Sequence, residues 1–178
     1  MADTMTKSQR HFTMSQVHSD STKPELQLRK DLWSLGLRYR VNVRVLPGKP
    51  DIVLPKYRTA IFVHGCFWHG HIGCKYYTIP KTNTDFWVAK VTRNQERDQE
   101  VWRELEAKGW SVIIVWECQL KKSLMKETVS RVVDEIHHNG EMLLKAQEER
   151  KASREAYRKE MKRRKERKAR VKAELKSS

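Results

Sequence analysis

Thiolates and neutral imidazoles are the side chains that bind zinc, and one short stretch of this chain is crowded with them. Residues 61–74 open as an apolar strand and then carry Cys66, Cys74, His64, His69 and His71, beside the adjacent aromatics Phe67 and Trp68. The remaining cysteine, Cys118, follows a second apolar run at 112–116. Cys66, His71, Cys74 and Cys118 make the donor set of a tetrahedral Cys3His site, which would staple together two segments distant in sequence. The alternative is that the cysteines are small buried apolar groups and the histidines unrelated surface residues. An odd cysteine count, three, points to a reducing compartment and to metal rather than disulfides.

A second set of residues suits a hard cation. Magnesium keeps several waters, takes one or two carboxylates and completes its shell with phosphate oxygens. Asp51, just before the apolar Ile52, Val53 and Leu54, is placed for this, with the main-chain carbonyl of Val63 as a co-ligand. His69 and His64 are the candidates to take a proton from an attacking water. Glu25 follows Thr22 by three residues, so it either closes a capping box or faces the site as a carboxylate. Phe67 and Trp68, side by side in a loop, cannot both face one core. They either pack or enter a base step.

The elements that must position these groups follow from local pattern. Residues 1–20 are polar with scattered apolar side chains and read as an arm that a ligand orders. Thr22, Pro24 and Glu25 start a helix with the stripe Leu28, Leu32, Leu35, stopped by Gly36. Residues 39–45 alternate as a strand, and a hairpin of 52–54 with 59–63 follows the turn 46–50. Asn83 or Thr84 caps a long helix closing at Gly109 with the stripe Trp87, Val91, Asn94, Asp98, Trp102, Leu105. Asn94 and Asp98 interrupt a core-facing row and must border a polar site, because burying them unpaired is costly. A strand at 111–116 and a helix at 124–138 complete the domain, 21–140. Beyond Gly140 the tail, 141–178, reads as a solvated helix or a disordered segment. Helix, three strands, helix, strand, helix predicts an α/β fold, a mixed sheet with helices on both sides.

The chain has 178 residues, a formal charge of +15 and a pI of about 9.9. The tail holds about 15 basic and about 7 acidic residues, so roughly half of that charge stays on the rest. A polyanionic partner follows, nucleic acid first. No apolar run approaches the roughly eighteen residues of a membrane span, and no apolar signal region opens the chain.

Across about residues 14–120 the chain resembles the very-short-patch repair endonucleases, the Vsr family. The motifs that carry the resemblance are Leu46-Pro47-Gly48-Lys49-Pro50-Asp51, the run 61–71, Phe86-Trp87, and residues 94–98 with the pair Arg97-Asp98. Gly109-Trp110 and Trp116-Glu117-Cys118 complete them. The resemblance implies a restriction-endonuclease-like fold with a structural zinc site, extended here by the charged helical tail. It implies a Mg2+-dependent nick 5′ to the thymine of a T·G mismatch that arises by deamination of 5-methylcytosine. By position, Asp51 binds catalytic magnesium and His69 is the catalytic histidine, with His64, Asp98 and Glu25 beside them. Cys66, His71, Cys74 and Cys118 hold structural zinc; Phe67, Trp68 and Trp87 wedge into the base stack; and Met14 intercalates from the arm. It further implies a monomeric, cytoplasmic, nucleoid-associated bacterial enzyme acting with mismatch-repair proteins and a repair polymerase.

The chain departs from the family pattern in two places. Val63 stands where threonine is expected, and the spacing from His71 to Cys74 is one residue longer. The wider restriction-enzyme pattern has an acid and a lysine where Val63 and Gly65 stand, which leaves histidine as the general base. Two other readings stay open from the residues alone: a zinc-stapled DNA-binding module without catalysis, and a basic RNA-binding protein.

Overall fold

The structure, a computed structural model, describes residues 8, 9, 12, 22–41 and 43–174, with side chains through Arg167. Met14 and most of the 1–20 arm lie outside the described residues. The chain divides into two compact units, Met1–Asn139 and Gly140–Ser178, and the first holds the sheet.

Three strands form that sheet in the order β1 (Ile52–Leu54), β2 (Thr59–His64), β3 (Ser111–Trp116). A 3-10 turn at Pro55–Tyr57 and the left-handed Arg58 (φ 48°) reverse the chain after β1. β1 and β2 are therefore antiparallel, with Ile52 opposite Ile61. β2 and β3 are parallel, with Ile61 opposite Ile113, and a parallel pair needs a long crossover. The crossover contains a long helix, which with the helix before the sheet and the one after it makes α1 (Lys23–Ser34), α2 (Thr84–Ala107) and α3 (Met125–Glu174).

Successive side chains of a strand face opposite ways, and the two faces of β2 build two cores. Ile61 packs with Leu28 and Leu32 of α1 and with Val132 and Ile136 of α3 on one face. Ala60 and Phe62 meet Leu105 of α2 on the other. Helices thus cover both faces of a mixed sheet, as the order of elements predicts. Ile61 is fully buried in the central strand, where truncation to alanine costs about 2–5 kcal/mol.

Three local expectations are corrected. Among the described residues of 39–45 none lies in a strand; Arg40 pairs in an isolated antiparallel bridge to Val53. Val41 and Val45 are 41% and 87% exposed, so their alternation had no apolar surface to bury against. Leu35 is the exposed C-cap residue of α1, and Leu37, beyond the left-handed Gly36, is buried instead. The helix expected at 124–138 does not stop there, since α3 runs on through Gly140. One glycine costs about 1 kcal/mol in a helix, which a segment rich in Ala, Glu, Lys and Arg tolerates.

Candidate active site and metal centre

Parallel pairing puts the carboxyl ends of β2 and β3 at the same edge, with His64 opposite Trp116. Sites gather outside such ends. Cys66 lies two residues beyond His64 and Cys118 two beyond Trp116, so strand register alone brings the two cysteines together. A series of turns returns the other two donors. The His71 N–H donates to the Cys66 carbonyl (3.0 Å) and the Cys74 N–H to that of His71 (3.1 Å). Gly73, between these two donors, takes the left-handed conformation at φ 75°.

His71 Nδ1 is 3.5 Å from Cys66 Sγ and 3.4 Å from Cys118 Sγ, and the donor atoms of all four residues lie within 4.8 Å of one another. A tetrahedral ion bound to sulfur at about 2.3 Å and nitrogen at about 2.0 Å has sulfur–nitrogen edges of about 3.5 Å. Burial pushes the Cys66 thiol up to about 12 and raises Cys118 as well, while a hydrogen bond from the Tyr76 backbone lowers Cys74. Convergent thiols, two of which resist ionisation on their own, are a cluster that a cation could complete.

The polar interruption of α2 faces the same loop. Asn94 and Asp98, four residues apart on one helix face, are both buried and both paired. Asn94 Nδ2 donates to the Trp68 carbonyl at 2.8 Å, and Gln95 Nε2 reaches the carbonyls of His69 and Gly70 at 3.3 Å. The Asp98 carboxylate is in close hydrogen-bond contact with His69 Nδ1. The ring of His64 stacks on that of His69, 3.8 Å between centroids and 14° from parallel. Its Nδ1 is buried, has no hydrogen-bond partner among the described residues and lies 4.0 Å from Asp98 Oδ2. Burial, then the neighbouring His69, hold His64 down to about 4, so its ring is neutral at physiological pH.

Asp51 stands at the threshold of β1, and its Oδ2 accepts the Val63 N–H at 2.7 Å across the hairpin. Arg29 of α1 donates to the Asp51 carbonyl at 3.0 Å and to Glu25 Oε2 at 3.3 Å. The Thr22 hydroxyl donates to Glu25 Oε1 (2.9 Å) and makes no cap hydrogen bond to the helix backbone. The capping-box alternative for Glu25 therefore fails, and its carboxylate lines the site. Glu25, Asp51, His64, His69 and Asp98 share one open cavity of about 480 Å³.

Phe67, Trp68 and Trp87 form a separate aromatic group with centroids 5.2–6.1 Å apart, half-buried and outside both cores. Three residues have a place in this region that sequence reasoning did not single out. Trp116 packs against both His71 and His64, Gln95 holds the loop carbonyls, and Arg29 joins α1 to the start of β1. Trp116 was visible only as the neighbour of Cys118 in a motif.

The family described as DNA mismatch endonuclease Vsr matches residues 2–75. The type II nicking enzyme V.NmeAIP of Neisseria meningitidis is 53% identical over 137 residues, 76% of this chain and 97% of that protein. The type II nicking enzyme V.XorIIP of Xanthomonas oryzae is 46% identical over 120 residues, 67% of this chain and 88% of that one. The DNA mismatch endonuclease Vsr of Escherichia coli is 40% identical over 137 residues, 76% of this chain and 87% of that protein. Among the described residues no helix is long and apolar enough to cross a membrane. With near-complete coverage of relatives at this identity, the chain belongs to the Vsr family of DNA endonucleases.

Proposed function

We propose that this endonuclease cuts one strand of duplex DNA 5′ to the thymine of a T·G mismatch, the product of 5-methylcytosine deamination, and so initiates very short patch repair. The observation that supports it most is the His69–Asp98 pair sharing a cavity with Asp51. Asp98 accepts from Nδ1 of His69, which leaves the Nε2 lone pair to take the proton of an attacking water. His64, neutral and stacked on the ring, holds its plane.

Asp51 is a hard donor with one oxygen anchored by the Val63 amide. The N–H and C=O of a strand residue leave the same edge, so the Val63 carbonyl turns towards Asp51 too, and valine serves as well as threonine. Magnesium bound by these two oxygens would neutralise charge developing on the phosphate. Zinc suits the Cys66, His71, Cys74 and Cys118 set, whose soft donors and short edges match its preferences. These residues belong to a restriction-endonuclease-like domain spanning 21–140, flanked by the arm 1–20 and the tail 141–178.

Phe67, Trp68 and Trp87, with Met14 from the arm, enter the base stack beside the mismatch. Unstacking costs a few kcal/mol and is least at a mispaired step. The enzyme acts as a monomer, and mismatch-repair proteins and a repair polymerase process the nick. The test is a nicking assay on a panel of mismatched and hemimethylated duplexes, with magnesium and with chelator. Magnesium-dependent cleavage of the T·G strand alone is expected; binding without any cleavage would return the chain to a non-catalytic DNA-binding module.

A further inference from the structure

The candidate active site is rich in negative charge for a group that must receive a phosphodiester. Glu25, Asp51 and Asp98 all line its cavity. The central strand supplies no compensating cation, because β2 contains neither lysine nor arginine. Two basic side chains do line the cavity, Arg97 and Lys49. Arg97 Nη2 lies 3.8 Å from Asp98 Oδ1, so it already faces a carboxylate.

Lys49 is held in an unusual backbone. Its φ is 49°, in the left-handed region, directly after Gly48 at 67°. A Cβ on Gly48 would come within 2.4 Å of Val101 Cγ1, so the backbone of this turn lies close against α2. Pro50 then fixes the approach to Asp51. Left-handed backbone is unfavourable for lysine, and glycine or asparagine would carry it more easily. Lys49 thus combines a left-handed backbone with a place in the lining of a carboxylate-lined cavity, and such backbone strain clusters at functional sites.

We infer that Lys49 is a phosphate-binding residue of the active site, its ammonium contacting a non-bridging oxygen of the phosphate that Asp51 and His69 address. The inference rests on the assignment of Asp51 and His69 above. The Gly48–Pro50 turn supplies the positive charge that β2 lacks. Lysine acts here as a point charge, which suits a phosphate met by one ammonium group.

Lys49→Asn removes the charge while keeping a residue that tolerates the left-handed turn, and Lys49→Gly does so by a second route. On a T·G duplex each should slow single-turnover nicking by about tenfold to a hundredfold, with the unfolding temperature unchanged or raised. Lys49→Arg should recover most of the rate. A duplex carrying an uncharged methylphosphonate at the scissile position supplies the second readout. It should bind wild-type protein about tenfold more weakly than the natural duplex, and the asparagine variant no more weakly. Wild-type nicking by both neutral variants, or the same loss of affinity for the methylphosphonate in both proteins, would overturn the inference. Asp51→Ala, run alongside, separates the two readings. If that variant nicks normally, the site assignment falls and this inference with it. If it is silent while Lys49→Asn is normal, only the role of Lys49 falls.

Discussion

The imidazole of His71 lies flat on the indole of Trp116, 4.1 Å between ring centroids and 3° from parallel. The same indole meets His64 edge-on at 5.5 Å, and His64 in turn stacks on His69 at 3.8 Å. Four rings therefore connect the Cys/His cluster to the His69–Asp98 pair without a gap. Packed interiors transmit displacement because they have little free volume. The candidate metal centre and the candidate catalytic histidine are thus joined by continuous ring packing where the parallel strands end.

Removing the metal should be felt at both ends of that packing. Purified protein is expected to contain one zinc, and Cys118→Ala to lose it and unfold the loop, because a structural zinc site contributes folding free energy directly. Trp116→Leu should keep the zinc yet slow nicking, since the spacer between His71 and His64 is gone. Elemental analysis and nicking rates on the two variants check this; zinc-free wild-type protein would sink it.

Catalysis should separate from binding. Asp98→Asn leaves the shape of the site but not the acceptor that fixes the His69 tautomer, and single-turnover nicking should fall by about a hundredfold to ten-thousandfold. Asp51→Ala and His69→Ala should be silent. Mismatch affinity should stay within about tenfold, or roughly 1.4 kcal/mol, in all three. Titrations with labelled duplexes decide the matter, and a variant that nicks at the normal rate loses its assigned role. Val63→Thr is a useful companion, because an unchanged rate supports coordination through the carbonyl.

Selectivity should reside in the aromatic group. Replacing Phe67 and Trp68 by alanine removes side chains that lie outside both cores, and base–aromatic stacking is worth about 1–3 kcal/mol per base. The expected outcome is a lower preference for T·G over T·A duplexes with non-specific affinity largely kept. Competition binding measures it. An intact preference would make these rings packing residues.

The tail should add affinity without specificity. Each phosphate contact contributes about −0.9 to the slope of log K against log salt. Truncation after Gly140 should flatten that slope by several units, weaken matched and mismatched DNA alike and leave the nicking rate of bound substrate unchanged. An identical slope with and without residues 141–178 would assign the tail to solvent or to another partner.

Much of the candidate site's membership is legible in residue type and spacing. Cys66, His71 and Cys74 are close in sequence, so a short loop has few ways to keep them apart. Asn94 and Asp98 announce a polar border because their burial in an apolar stripe demands partners. The identity of those partners is another matter. The Trp68 carbonyl and the His69 ring lie 26 and 29 residues away, and nothing local encodes the pairing. Glu25 had two meanings until α1 packed against the start of β1 and turned its carboxylate into the cavity. The alternation at 39–45 records only a capacity to pair, and with one bridge to Val53 and no surface to cover it stays irregular. The place of Trp116 was set by the parallel register of β2 with β3, which depends on the crossover through α2. Periodicity along a chain tells which face is buried. Which strand lies alongside, and hence which rings touch, is decided only when the sheet assembles.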